Sequence, residues 1–216
     1  DKIDHCYYNI TDRHRYYHAT NDSYIRDFAE DVDFKWKQLA EEDSRMDMDC
    51  NPNRPLEITP DWGSSACFLE VAQCGHFDYA AKRLYPDRVV DNTINEFFVK
   101  RDDTEGLTEV DALIDMFCRH HACKTVDFYR DRYGDARRAN SKKTYNQCAI
   151  DRLVKHGWTV VQHVHRGMEP PQHDKYLLWS YVLAETDTRY PIKRFNATKC
   201  KFILISMNNT RVRTGS

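Results

Sequence analysis

The fold of this chain is decided by two short stretches, LEITPDWG at residues 56–63 and TVDFYRDRYGD at residues 125–135. Each has the composition of a strand that ends in an aspartate, and a glycine follows closely. Carboxylates at the end of a sheet are rigidly aimed, and hard cations such as Mg²⁺ bind carboxylate oxygens while keeping positions open for water and phosphate. Asp61 and Asp131 are therefore candidate ligands of a metal site, although Asp-x-Gly is also common turn chemistry.

Length and composition favour one main domain. The chain has 216 residues, of which 41% are hydrophobic, enough for one good core. We expect a domain over residues 55–216, preceded by a leader or linker over residues 1–54 that is rich in aromatic and charged side chains. The turn cluster NPNRP at residues 51–55 marks the boundary. Because 32 basic residues nearly balance 34 acidic ones, any contact with nucleic acid must come from local patches.

Cysteine usage and hydropathy indicate the compartment. The eight cysteines are scattered without a compact framework, which favours reduced thiols in a cytosolic protein. No apolar run approaches the roughly 18–20 residues of a membrane span, and no signal peptide is visible, so we expect no membrane partner. The first residue is Asp1 rather than Met, which indicates a piece of something longer.

The order of predicted elements indicates the fold class. Strands are predicted over 56–61, 66–73, 89–100, 125–130 and 158–165, with an insertion over 75–88. Helices are predicted from 108 to about 121, over 144–156, over 174–184, and in a last segment capped by Asn196. This is the layout of a ribonuclease H-like α/β domain, a mixed sheet of three antiparallel strands plus parallel strands, flanked by helices. In that sheet the first and fourth strands are neighbours, so Asp61 and Asp131 would meet.

Several stretches also resemble one branch of that fold, the C-terminal nuclease domain of phage terminase large subunits, which are DNA-packaging motor proteins of tailed bacteriophages. The resemblance runs from residue 43 to about residue 210. The matching stretches are DSRMD at 43–47, PLEI at 55–58, DWG at 61–63, FFVK at 97–100, YRDRYGD at 129–135, LVKHGW at 153–158, HDKYLLW at 173–179, and residues 196–207.

The resemblance implies a Mg²⁺- or Mn²⁺-dependent endonuclease that cuts concatemeric double-stranded viral DNA at the start and end of packaging. It implies that Asp61 is the first catalytic aspartate and Asp131 the second. It also implies a terminase ATPase domain, a small terminase subunit and a portal as partners, and the cytoplasm of a bacterial host as the location of a phage or prophage protein.

The chain departs from that family in two ways. None of its seven glycines builds the phosphate-binding loop of the ATPase half, so the chain is not the motor by itself. The third catalytic acid of the family lies on a late helix, which we expect to fall beyond Ser216. Either that acid is missing here or an internal acid replaces it, and Asp135 is the nearest candidate, with a turn aspartate after Gly134 as the alternative.

A dense set of basic residues near Asp131 predicts DNA binding. Lysine and arginine neutralise backbone phosphates and supply affinity that does not depend on sequence. The alternative is a solvated loop with ordinary surface charge, and the polar face of a helix would also explain Lys175. The dense set is Arg130, Arg132, Arg137, Arg138, Lys142 and Lys143, and two further candidates outside it are Arg166 and Lys175.

Other metal chemistry is less favoured by the pattern. CRHHAC at residues 118–123 has zinc-ligand residue types but continues an amphipathic helix, where packing explains it better. His163 and His165 alternate on one predicted strand face and could reach a metal, yet ordinary sheet histidines account for them as well.

We expect a two-metal endonuclease in which Asp61 and Asp131 hold the ions and the basic loop at 130–143 holds the DNA. Two alternatives stay open. The first is a DNA-binding or docking module of the packaging motor that lacks activity, and the second is another ribonuclease H-like nuclease such as a resolvase or transposase.

Overall fold

The chain is an α/β protein with a mixed sheet of seven strands. A computed structural model describes residues 10–17, 49–63, 66–100, 121–136, 142–165, 167–168 and 170–209. The sheet strands are β1 (Arg15–Tyr16), β2 (Leu56–Trp62), β3 (Ala66–Gly75), β6 (Val90–Lys100), β7 (Thr125–Tyr129), β8 (Thr159–His163) and β9 (Ile192–Asn196), in the order β1-β9-β6-β3-β2-β7-β8. A separate two-stranded sheet pairs β4 (Phe77–Asp78) with β5 (Arg83–Leu84). The helices are α1 (Tyr145–Lys155), α2 (Gln172–Ala184) and α3 (Lys201–Asn209).

The pairing of β2 is the feature that positions the candidate site. β2 runs antiparallel to β3 and parallel to β7, with Leu56 opposite Val126 and Ile58 opposite Phe128. β7 continues the parallel arrangement into β8. The predicted α/β class, the mixed sheet and the neighbouring first and fourth strands of the domain are therefore confirmed.

The chain forms two compact units, and the candidate site lies in the unit drawn from residues 18–73 and 97–165. Along β2 and β7 buried apolar side chains alternate with more exposed ones, as a half-buried sheet requires. Leu56, Ile58 and Phe128 are fully buried, and each contributes about 1.5–3 kcal/mol to folding. Helix α1 begins after Thr144, whose hydroxyl accepts the N–H of Gln147 at 3.2 Å.

The other unit is drawn from residues 1–17, 74–96 and 166–216. In it β9 lies between β1 and β6 and pairs in parallel with both. Its core joins Leu183 of α2, Phe195 of β9, and Leu204 and Met207 of α3. Glu96, at 8% exposure, accepts the N–H groups of Phe202 (2.5 Å) and Ile203 (2.8 Å), so its carboxylate caps the first turn of α3.

Two of the predicted segments differ from the structure by more than a small shift of their bounds. The last helix begins at Lys201, because Asn196 ends strand β9 and its side chain accepts the N–H groups of Thr198 and Lys199 in the turn that follows. The predicted insertion over 75–88 contains the small β4–β5 hairpin. The predicted helix over 108–121 lies mostly outside the described residues, and the domain boundary at 54/55 stays a prediction.

Candidate metal and nucleic-acid site

Asp61 and Asp131 lie together at the ends of neighbouring parallel strands. Asp61 is the penultimate residue of β2, and Asp131 follows β7 by two positions. The N–H of Trp62, the residue after Asp61, donates to Asp131 Oδ2 at 3.2 Å. The N–H of Tyr133 donates to Asp131 Oδ1 at 3.0 Å. The Asp131 carboxylate is therefore held by two backbone groups, one of them on the strand that carries Asp61.

The electrostatics of the pair follow from this proximity. Partial burial and the negative charge of Asp131 both raise the pKa of Asp61 above its ordinary value. No hydrogen bond or ion pair to the Asp61 carboxylate occurs within the described part of the chain. Two like charges are thus held at one sheet end, with one carboxylate unpartnered, and a bound cation would relieve their repulsion.

Asn146 connects α1 to both strand ends. Its Oδ1 accepts the indole N–H of Trp62 at 2.7 Å, and its Nδ2 donates to the carbonyl oxygen of Asp131 at 2.7 Å. The same Nδ2 donates to Asp135 Oδ1 at 3.0 Å. The ring of Trp62 also stacks on that of Tyr145, with centroids 5.9 Å apart. Asn146 and Trp62 are buried, so these hydrogen bonds hold the ends of β2 and β7 in place from the protein interior.

Gly134 is required by close packing. It lies in a single 3₁₀ turn at Tyr133–Asp135, which begins two positions after Asp131. A Cβ at this position would lie 2.1 Å from Cδ1 of Trp62 and 2.5 Å from Oδ1 of Asn146. Only glycine lets the turn approach the indole this closely.

Asp135 is engaged in the support of the site. It forms an ion pair with Arg130 and accepts the hydrogen bond from Asn146. Although burial opposes the shift, these hydrogen bonds hold the pKa of Asp135 below its ordinary value. Among the residues that the structure describes, no group of three histidine, cysteine, aspartate or glutamate side chains is arranged to hold a metal ion. The third-ligand role of Asp135 stays a prediction.

The predicted DNA-binding residues are placed in different settings. Arg132, which follows Asp131 directly in the sequence, is exposed, as are Lys142 and Lys143, and Lys143 pairs with Asp151 at 2.5 Å. Arg130 forms an ion pair with Asp135, and its Nη1 donates a hydrogen bond to Oε1 of Gln162 at 3.4 Å.

The remaining predicted DNA-binding residues lie in the other unit or outside the described residues. Lys175 lies on α2, in the other unit. Arg137, Arg138 and Arg166 lie outside the described residues.

Two histidines that the sequence had singled out as metal candidates have other contacts. His121 is buried, and its Nε2 donates to the carbonyl oxygen of Arg54 at 2.6 Å. Burial lowers its pKa, which favours the neutral ring. His163 bonds to Asp127 at 2.7 Å, a contact that the sequence did not predict.

No protein-family model, curated protein or solved structure matches this chain. No helix in the described ranges is long and apolar enough to cross a membrane. The functional assignment therefore depends on the geometry and chemistry of the site.

Proposed function

We propose that this chain is a ribonuclease H-like, metal-dependent endonuclease that hydrolyses phosphodiester bonds in DNA. The observation that carries the proposal is the meeting of Asp61 and Asp131 at the ends of parallel β2 and β7, where the charge of Asp131 contributes to the raised pKa of Asp61. Paired carboxylates at the ends of parallel strands suit a hard cation that also contacts phosphate.

The donor set fits Mg²⁺ or Mn²⁺. Asp61 and Asp131 would hold the ion, because both offer carboxylate oxygens and the Asp61 carboxylate is unpartnered among the described residues. A divalent ion bound there would activate water and neutralise charge on the phosphate.

The remaining groups hold the site and the substrate. The N–H groups of Trp62 and Tyr133 orient the Asp131 carboxylate, and Asn146 fixes the two strand ends relative to each other. Arg132, Lys142 and Lys143 are exposed and lie in the sequence between Asp131 and Asn146, and they would contact backbone phosphates on either side of the cleaved bond.

The resemblance to terminase nuclease domains supplies the finer proposal. Under it, the substrate is concatemeric double-stranded DNA, and the partners are a terminase ATPase domain, a small terminase subunit and a portal. The place of action is then the cytoplasm of a bacterial host. The strand order β6-β3-β2-β7-β8 is compatible with that family's fold and supports the proposal at the level of architecture.

A second candidate is a DNA-binding or docking module without activity. It is favoured by one observation, that no third acidic ligand joins Asp61 and Asp131 in the described ranges. Another ribonuclease H-like nuclease, a resolvase or transposase, is distinguished by its preference for branched DNA or transposon ends.

The test is plasmid cleavage by the purified chain in Mn²⁺, Mg²⁺ or EDTA, with Asp61→Ala and Asp131→Ala beside the parent. Asp87→Ala is the matched control, because Asp87 is exposed and lies in the other unit. We expect metal-dependent cutting by the parent and the control, and none by the two site variants.

Calorimetric titration with Mn²⁺ provides a readout that does not depend on turnover. We expect binding to the parent and loss of binding in both site variants. Metal-independent DNA binding without cutting would support the docking module instead, and equal cutting by all four proteins would overturn the site.

A further inference from the structure

Next to the carboxylate pair, Asp127 and His163 form a dyad on the same side of the sheet. His163 Nε2 lies 2.7 Å from Asp127 Oδ1. An ionised carboxylate can only accept, so Nε2 carries the hydrogen and donates it. The ring of Tyr129, the register partner of His163, stacks on the imidazole with centroids 4.6 Å apart and planes 16° apart. One hydrogen bond and one ring contact therefore fix the orientation of the imidazole.

The strand register places this dyad on the same face as Asp61. Asp127 is the register partner of Glu57 on β2, and paired residues of neighbouring strands point to the same face. Side chains alternate along a strand, so Glu57 and Asp61, four positions apart, share that face. On β8, Val161 pairs with Asp127, and His163 is two positions further on. Asp61, Asp127 and His163 thus face the same way.

The dyad also lies close to Asp131 along the sheet. The N–H of Arg130 donates to the carbonyl oxygen of His163 at 3.0 Å, and Asp131 is the next residue. Neighbouring strands are about 5 Å apart and each strand residue adds about 3.3 Å, so an extended path onward from Tyr129, the register partner of His163, would place the Cα atom of Asp131 about 8 Å from that of His163. An imidazole at this distance can reach an oxygen bonded to a phosphorus held at the carboxylate pair.

His163 is accessible to a substrate. Its side chain is 42% exposed, whereas that of Asp127 is 27% exposed. With Nε2 committed to Asp127, the second ring nitrogen, Nδ1, is the one that can exchange a proton with a ligand. A buried carboxylate is not needed for this role, because Asp127 only has to fix the ring and stabilise its protonated form.

We propose that His163 is the general acid of the phosphodiester cleavage, with Asp127 and Tyr129 as its positioning residues; this rests on the proposed endonuclease function. As the water oxygen bonds to phosphorus, the bond from phosphorus to the bridging oxygen of the leaving nucleotide breaks, and its electron pair goes to that oxygen. The proton on His163 Nδ1 transfers to the oxygen, which leaves as an alcohol. The attacking water releases its proton to solvent, and solvent reprotonates His163.

The test compares two DNA substrates, one ordinary and one in which sulfur replaces the bridging leaving oxygen. A thiolate leaves without being protonated, so loss of a general acid slows only the oxygen substrate. We expect His163→Ala to cut the oxygen substrate about 10²-fold more slowly or worse, and the sulfur substrate within about tenfold of the parent. Asp127→Asn should show the same selective defect, but smaller. His173→Ala, an exposed histidine on α2, is the matched control.

The outcomes are distinguishable. An equal defect on both substrates would show that His163 has a structural role, and no defect on either would remove it from the reaction; both overturn the general acid. A parent that cuts neither substrate in any metal would overturn the endonuclease assignment itself. DNA affinity measured in EDTA by fluorescence anisotropy should be the same for parent and His163→Ala, and a matching loss of affinity would contradict a role in the chemical step.

Discussion

At the scale of single residues, Gly134 bears a tight steric constraint near the site. We expect Gly134→Ala to destabilise the protein by about 1–3 kcal/mol, because its methyl group would overlap the buried indole of Trp62 and the amide of Asn146. Urea denaturation of parent and variant measures the difference. The same variant should lose metal-dependent cutting, since Trp62 and Asn146 position Asp131.

Gly157 provides the comparison for that experiment. Its φ is +85°, and a methyl group placed there would meet nothing within 4 Å, so substitution costs backbone strain without a clash. Gly157→Asn should be milder than Gly157→Ala, because asparagine tolerates the left-handed region. A Gly134→Ala variant no less stable than Gly157→Asn would contradict the packing argument.

Asp61 gives a prediction about pH. A carboxyl whose pKa is raised by folding binds its proton more tightly in the folded state, so stability falls as pH rises through the interval above its ordinary value of 3.8. Without metal, Asp61→Asn should therefore be more stable than the parent at pH 7, and the gain should shrink as the pH falls toward about 4. The midpoints of urea unfolding between about pH 4 and pH 7 measure this gain in stability, with Asp87→Asn as the control. A variant less stable than the parent at pH 7 would contradict the like-charge pair.

At the scale of elements, Asn146 is the link between α1, β2 and the segment after β7. Asn146→Ala would leave the indole N–H of Trp62 buried without its acceptor, and we expect a loss of about 1–3 kcal/mol. Gln147→Ala is the matched control on the next, exposed position of α1. Denaturant unfolding measures the free energy of unfolding of both variants. Equal stabilities of Asn146→Ala and Gln147→Ala would show that the Asn146 contacts are not stabilising.

The strands of the site were predictable from the sequence because the residues that define each strand lie within one short stretch. β2 and β7 combine apolar residues with a terminal aspartate and a nearby glycine within a single short stretch, and their pairing followed from the order of elements. β9 was not predictable in this way. Its residues Lys193 and Arg194 are buried because they pair with Asp91 and Asp78, more than a hundred positions earlier in the chain.

The same distinction applies to the site. Asp61 and Asp131 carried a visible pattern, whereas the Asp127–His163 bond joins residues 36 positions apart and depends on the register of β7 and β8. A histidine alternating on a strand face was visible, but nothing in the sequence indicated which carboxylate it would meet. The support from Asn146 at the start of α1 was likewise hidden, since asparagine there has the pattern of an ordinary first-turn residue.

At the scale of the whole molecule, net charge limits how DNA can be bound. With a formal net charge of −2, the chain has no general attraction for a polyanion, so any affinity for DNA would come from local groups of basic residues. If Arg132, Lys142 and Lys143 each contact a phosphate, together they should contribute about −3 to the slope of log K against log salt concentration. Anisotropy titrations in EDTA measure this slope.

The contribution of individual residues can be separated in the same assay. The double variant Arg132→Gln and Lys142→Gln should flatten the slope by about 2. The double variant Lys199→Gln and Lys201→Gln, with both residues in the other unit and outside the predicted DNA-binding set, is the control and should leave the slope unchanged. An unchanged slope in the first variant would place the DNA elsewhere.

The burial of Trp62 beside Asp61 also gives the protein a built-in optical probe. Its indole is 5% exposed and hydrogen-bonded to Asn146, so its emission depends on how the end of β2 sits against α1. Occupancy of the neighbouring carboxylates would change that emission without label or turnover. Subtracting the spectrum of Trp62→Phe isolates this one fluorophore from the other three tryptophans of the chain.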